Sequence, residues 1–487
     1  MKKVIDILNK NEKKTISELM KSNKKMANML LGVKSINELK DGLNDDQQRA
    51  FDEIVDYILS DSEYQGIVLS GYAGTGKTFL IKRIVEWLNV SGKVKIAITA
   101  PTNKAVHILD RDNPYQQKTN RFSKKAPAII YTTIHKLLGL TELITDDGQQ
   151  TFVKQNESLA EQYDVIIVDE VSMLNDDLLD TIISLDTKLI LMGDKCQIPP
   201  VNKIDCEVYR NDCRYKFKHT QLNKIMRQAD DNPIIAKSIE IREHLDKSVP
   251  TPHITQINGE NGVIYIEKDI EETVTKLCRE YFDCQAYMDN RDYMKVICWR
   301  NKTIDYFNNS IRRILFNTET RFNKGESLIA SSILFNKYED KFYIKANNSE
   351  EFVVDDDVEI PITTNIGKHE FTSMFHQLRV HTYNGRELML NVIRKECMPD
   401  LIKFQNELKA HAKAKPNRFT WLDYYDSLKI SDNVGYNYAI SAHRSQGSTY
   451  ENVLMIERDM NYNTRLIERN RIKYTAFTRA KHKLFIV

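Results

Sequence analysis

The chain has 487 residues, 41% of them hydrophobic and 28% charged, the composition of an ordinary globular protein with two or more domains. Its 70 basic and 68 acidic residues leave a net charge of +2, which gives no bulk polyanion signal. No apolar run approaches the roughly 18 residues of a membrane span, no membrane partner is expected, and seven scattered cysteines without a C-x-x-C pair give no support to a disulfide framework or zinc site.

A cytoplasmic location is expected, because the Lys-rich N-terminus lacks the apolar core of a signal peptide. Residues 1–40 carry ten Lys against four acidic residues, a local net of +6. Ile5, Ile7 and Leu8, then Ile16, Leu19 and Met20, have helical spacing. This predicts a Lys-rich helical extension, either a solvated helix or a nucleic-acid contact. A second helix opens within 43–51, capped by Asn44 or Asp45. Gln47 follows the cap with an amide suited to an adenine edge, although most glutamines so placed are merely exposed.

Residues 66–78 read G-I-V-L-S-G-Y-A-G-T-G-K-T. Ile67, Val68 and Leu69 predict a buried parallel strand. The G-x-x-x-x-G-K-T stretch that follows is a phosphate-binding loop. Gly71, Gly74 and Gly76 let the backbone, with Thr75 between them, turn its N–H groups toward phosphate oxygens. The helix predicted over about 77–88 adds its positive end. Lys77 is then the cation for the β- and γ-phosphates, and the Thr78 hydroxyl is a Mg²⁺ ligand.

Residues 95–100 predict a third strand, followed by Pro101, Thr102, Asn103 and Lys104. The stretch T-T-I-H ends similarly at His135. Both turns offer hydroxyl, amide and N–H donors to a nucleic-acid backbone, and both read equally as plain strand-to-helix turns. About 140–156 alternates polar and apolar residues around Asp147-Gly148, predicting a β-hairpin. Phe152 lies on its return arm, where an aromatic stacks on a base, wedges a duplex or packs on the domain surface. Residues 163–170, Y-D-V-I-I-V-D-E, end a buried strand in two carboxylates. Asp169 suits Mg²⁺, and Glu170 suits the orientation or deprotonation of an attacking water. Residues 189–201 form a strand ending at Gly193 and Asp194, with Gln197 placed to meet a γ-phosphate or its water. Arg227 closes the stretch L-N-K-I-M-R. Strand and helix alternate to this point, as in a parallel α/β domain.

A second α/β pattern starts near Gly262, with a strand at 295–299 and a helix at 302–313. Residues 320–395 predict a β-rich insertion with a hairpin turn at Tyr383-Asn384-Gly385-Arg386. About 400–430 is helical; its Phe404, Phe419, Trp421, Tyr424 and Tyr425 pack on the insertion or meet nucleic acid. Strands follow at 438–441, 452–456 and 484–487. His443 and Arg444 open the stretch H-R-S-Q-G-S-T. Arg479, in K-Y-T-A-F-T-R-A-K, is expected on a helix before the last strand, projecting across a domain interface.

Taken in order, L-N-D-D-Q, G-Y-A-G-T-G-K-T, A-P-T-N-K-A, T-I-H, D-E-V-S-M, G-D-K-C-Q-I-P-P-V, L-x-x-x-x-R, H-R-S-Q-G-S-T and Y-T-A-F-T-R-A resemble the superfamily 1 helicases of the RecD-like branch. The resemblance covers about residues 43–487. It implies an α/β fold of two RecA-like P-loop domains, about 41–250 and 251–487, with ATP between them and single-stranded DNA across both. It also implies that the hairpin is a strand-separating pin and that 320–395 is an SH3-like insertion. By resemblance, Gln47 reads adenine, Gln197 senses the γ-phosphate, and Arg227 and Arg479 are arginine fingers. Pro101 to Lys104, His135, His443 and Arg444 belong to DNA-contacting blocks. Asn44 departs from the family, which usually has Thr there.

The implied function is an ATP- and Mg²⁺-dependent helicase, a monomer moving 5′→3′ on single-stranded and forked DNA. Its setting would be phage-type replication, recombination or repair, in the host cytoplasm if phage-encoded, with single-strand-binding or replication proteins as partners. The alternative is a translocase on RNA, or one that strips proteins without processive unwinding. A switch GTPase would need N-K-x-D, and the string N-K-T-I-D at 301–305 has the wrong spacing.

Overall fold

The computed structural model describes residues 36–89, 94–111, 128–144, 150–154, 158–200, 203, 205–226, 232–247, 253–316, 320–338, 341–383 and 385–487. Nearly all of the expected N-terminal extension, the tip of the expected pin and Arg227 lie outside the described residues. The chain divides into two compact units. One comprises the described residues of 1–140, 154–251 and 463–478; the other comprises those of 141–153, 252–462 and 479–487.

The first unit is built on a parallel sheet. The chain as far as residue 222 forms β1 (Gly66–Gly71), β2 (Ile96–Ala100), β3 (Ile129–Thr133), β4 (Leu140–Ile144), β5 (Gln150–Lys154), β6 (Val165–Val168), β7 (Lys188–Gly193) and β8 (Phe217–Leu222), of which β4 and β5 group with the second unit. The sheet order is β3-β2-β6-β7-β1-β8, and its pairings are parallel. Ile67, Val68, Leu69 and Val165 to Val168 are wholly buried, as a sheet covered on both faces requires. The helix Asp45–Leu59 buries Phe51, Ile54 and Ile58. The helix Lys77–Asn89 buries Leu80, Ile81, Ile84 and Leu88. Each such side chain contributes about 1.5–3 kcal/mol. Strands β4 and β5 form their own two-stranded sheet, the expected hairpin.

The second unit carries β9 (Gln256–Asn258), β10 (Asn261–Tyr265), β11 (Met294–Cys298), β12 (Ser327–Ala330), β13 (Leu334–Tyr338), β14 (Lys341–Ala346), β15 (Glu351–Ile366), β16 (His369–His381), β17 (Glu387–Ile393), β18 (Val434–Tyr436), β19 (Ala439–Ser441), β20 (Tyr450–Met455) and β21 (Ala480–Ile486). A six-stranded sheet, β19-β11-β20-β21-β10-β9, is parallel except at β9. The two sheets are the expected pair of RecA-like cores.

The β-rich region forms a five-stranded antiparallel sheet, β17-β16-β15-β12-β18, and a separate β13–β14 ribbon. The expected turn at 383–386 joins β16 to β17, with Gly385 at φ 76°. The sheet draws its last strand, β18, from beyond the expected limit of 395. The helices Met398–Ala414 and Arg418–Ser427 intervene. Trp421 is buried and packs with Ala412, Tyr424 and Tyr425, so much of the aromatic set there is core, while Phe419 is exposed.

The helix Leu466–Phe477 groups with the first unit. Asn470 Nδ2 donates to Leu245 O at 2.9 Å, and Arg471 pairs with Asp205. It ends at Phe477, so Arg479 lies in the short link before β21 rather than on the helix; the Thr478 cap closes the last turn.

Candidate active site

Three strand ends converge in the first unit. Register pairs Ser70 with Gly193 across β1 and β7, and Val168 with Leu191 across β6 and β7. The residues that follow these ends are the phosphate loop, the carboxylate pair and the turn carrying Gln197.

In the phosphate loop, Gly74 and Gly76 have φ of 82° and 80°. At Gly76 a Cβ would lie 2.4 Å from Gln47 Nε2, so both the conformation and the space demand glycine. Lys77 folds its Nζ onto Gly71 O at 2.5 Å and Tyr72 O at 3.2 Å. Thr75 N and Oγ1 also donate to Tyr72 O, at 3.2 and 2.8 Å. Lys77 and Thr78 are the first two residues of their helix, so the helix N-terminus faces the loop.

Asn44 caps the helix Asp45–Leu59 in a reciprocal box. Asn44 Oδ1 accepts from Gln47 N at 2.9 Å, and Gln47 Oε1 accepts from Asn44 N at 3.1 Å. Asn therefore does the capping work that Thr does in the family pattern. Gln47 is fully buried and its Nε2 donates to Thr75 O at 3.2 Å. Its amide thus buttresses the phosphate loop.

At the end of β6, Asp169 Oδ1 accepts from Glu170 N at 2.8 Å, and Asp169 N donates to Thr99 O. Glu170 stands in the left-handed region, φ 52° and ψ 42°, a cost of about 1–3 kcal/mol that clusters at functional sites. Burial, then the neighbouring Glu170 charge, pushes the Asp169 carboxyl up to about 7 against the pull of Lys77. Two carboxylates that resist sharing a site want a cation, and Asp169 with the Thr78 hydroxyl offers the hard oxygens Mg²⁺ prefers. The donor set fits that ion.

The β7 end packs tightly on this turn. A Cβ at Gly193 would lie 2.9 Å from the Tyr209 hydroxyl and 3.0 Å from Val171 Cγ1. Asp194 is buried; its Oδ1 accepts from Cys196 N at 2.9 Å and its Oδ2 from the Tyr474 hydroxyl at 2.7 Å. Gln197 is buried, and its Oε1 has no hydrogen-bond partner among the described residues. A buried orphan acceptor costs about 1–3 kcal/mol, which a water or ligand would recover.

The expected DNA-block residues fall at strand ends. Ala100 pairs with Thr133, so Pro101 to Lys104 and His135 emerge from neighbouring strands. Thr102 Oγ1 caps its helix by accepting from Ala105 N at 3.3 Å. His135 is half-buried, which lowers its basicity. Phe152 is on β5, and its side chain lies outside the described residues. In the second unit, His443 and exposed Arg444 sit in the turn after β19. Arg479 is buried there, its Nη1 donating to Ser448 O at 2.9 Å and Ser445 O at 3.4 Å. Sequence reasoning gave no separate role to Tyr474, Tyr209, Tyr72 or Arg242. Their links to the site run between distant segments and leave no local pattern.

Residues 55–203 match the AAA domain family, and residues 436–487 match the UvrD-like helicase C-terminal domain. The ATP-dependent DNA helicase dda of Enterobacteria phage T4 is 24% identical over 92% of this chain and 99% of its own length. An uncharacterized protein of Acanthamoeba polyphaga mimivirus is 25% identical over 91% of this chain and 99% of its own. The RecBCD enzyme subunit RecD of Buchnera aphidicola is 24% identical over 85% of this chain and 68% of its own. Among solved structures, a Pif1 helicase from Candida albicans covers 91% of this chain and 94% of its own at 14% identity and a TM-score of 0.48. One from Bacteroides, in complex with ADP-AlF3 and ssDNA, covers 91% and 92% at 16% identity and a TM-score of 0.45. With nine motif blocks in order, three of them converging on one phosphate site, and two viral relatives matched along nearly their whole length, the chain is similar to superfamily 1 helicases of the Dda and RecD type.

Proposed function

We propose that the chain hydrolyses ATP to move along single-stranded DNA and unwind duplex ahead of it. The observation that carries this reading is the convergence of Lys77, Thr78, Asp169, Glu170 and Gln197 at three adjacent strand ends. The phosphate loop binds the triphosphate through its N–H groups and Lys77. Thr78 and Asp169 would hold Mg²⁺, which would supply neutralisation of the phosphate charge. Glu170 takes the proton of the attacking water, and the Gln197 amide orients that water. Arg479 stabilises the charge that develops on the transferred group. His135, His443, Arg444 and the 101–104 turn hold the DNA backbone, and the β4–β5 hairpin separates the strands.

Movement in the 5′→3′ sense follows from the family branch. Single-stranded and forked DNA fit as substrates because the relatives include a DNA helicase and RecD subunits. The test is ATPase activity with and without single-stranded DNA. Lys77→Ala should abolish turnover, and Glu170→Gln should hold nucleotide while turning over very slowly. Near-normal turnover in either variant contradicts the assignment.

A further inference from the structure

We propose that Arg242, stacked on Tyr72 of the phosphate loop, is a further γ-phosphate-binding cation of this ATP site. The proposal rests on the reading of that site given above.

Tyr72 is the residue at which the phosphate loop is tied together. Its carbonyl accepts from Lys77 Nζ, Thr75 N and Thr75 Oγ1. Its hydroxyl accepts from Gln221 Nε2 at 3.4 Å. The Arg242 guanidinium lies over its ring, 3.6 Å from the centroid. Arg242 comes from the last turn of the helix Pro233–Glu243 and is half-buried.

Other arginines of this unit meet carboxylates: Arg49 with Asp46, Arg83 with Glu86, Arg210 with Glu207, Arg214 with Asp180 and Arg471 with Asp205. Arg242 has no such partner among the described residues. The buried Asp194 is already satisfied by Cys196 N and Tyr474. The charge of Arg242 also acts on the Cys196 thiol, within the turn that leads to Gln197. The guanidinium therefore lies against the start of the phosphate loop.

Stacking fixes the guanidinium plane through its face and leaves its edge donors to meet anionic oxygen. Of the nucleotide's phosphates, the γ-phosphate is the one that sets ATP apart from ADP. The competing role is a helix-end cation that only packs on Tyr72. A second phosphate source is the DNA backbone.

Calorimetric titration of the full chain with Mg-ATP, Mg-ADP and a dT oligonucleotide separates these. Arg242→Gln should weaken ATP by about tenfold, the loss of roughly 1.4 kcal/mol of charge-assisted binding. ADP and the oligonucleotide should stay within about twofold. Arg242→Lys keeps the charge without the stack and should lose about threefold for ATP alone; it decides the matter if the Gln variant does not fold. Equal loss of ATP and ADP, no change in either, or a loss confined to the oligonucleotide overturns the proposal. Failure of the unaltered chain to bind ATP at all would instead remove the reading of the site itself.

Discussion

The Tyr474 hydroxyl donates a 2.7 Å hydrogen bond to Asp194 Oδ2, with both side chains buried. Tyr474 lies in the stretch Y-T-A-F-T-R-A, five residues before Arg479, while Asp194 begins the turn that ends at Gln197. The bond fixes that turn from a helix near the far end of the chain. Tyr474→Phe keeps the ring and removes the donor, leaving a buried carboxylate oxygen unsatisfied, a cost of about 1.5–3 kcal/mol. Thermal unfolding should register the loss. If the turn orients the attacking water, as proposed, the ATPase kcat should fall about tenfold while KM for ATP changes less than about twofold. A variant with lowered stability and wild-type kcat would contradict that role.

Gly76→Ala asks for a β-carbon where Gln47 Nε2 lies 2.4 Å away, at a φ of 80°. Strain of about 1–3 kcal/mol is expected from the backbone alone. Relieving the clash displaces the Gln47 amide from Thr75 O. Nucleotide affinity should fall by more than about tenfold in a fluorescent-nucleotide titration. Retention of wild-type affinity would show that the loop tolerates an altered path.

Arg479→Lys retains a charge but loses the planar guanidinium, whose Nη1 donates to both Ser445 O and Ser448 O. ATP and single-stranded DNA should still bind. Hydrolysis at saturating DNA should fall by about 10³ or more, the contribution of an arginine finger. A rate within about threefold of wild type would leave Arg479 a buried structural residue of its turn.

Phe152 lies on the return strand of the β4–β5 hairpin. Phe152→Ala should preserve DNA-stimulated ATPase and reduce strand separation several-fold. Parallel loss of both activities would point to a binding or packing role.

The parallel cores were legible because their strands are continuous apolar runs with glycine-rich or acidic ends. Ile67 to Leu69 and Val165 to Val168 announce both burial and direction. The caps at Asn44 and the turn at Gly385 were legible for the same reason: each is a local chemical preference. Strand β18 was not, because Val434–Tyr436 is three residues long and gains its place only by pairing with β12. The bonds of Tyr474 to Asp194 and of Gln47 to Thr75, and the stack of Arg242 on Tyr72, join distant segments. No periodicity encodes them. The Gln47 amide, expected at an adenine edge, also braces the loop through Thr75 O.

The central claim is that ATP turnover at the Lys77 site drives separation of DNA strands. Strand displacement on duplexes carrying a 5′ or a 3′ single-stranded tail tests it most directly. ATP- and Mg²⁺-dependent displacement is expected from the 5′-tailed duplex, little from the 3′-tailed one, and none with Lys77→Ala. Displacement that persists without ATP or in Lys77→Ala, or DNA-stimulated ATPase with no displacement from either duplex, would contradict it.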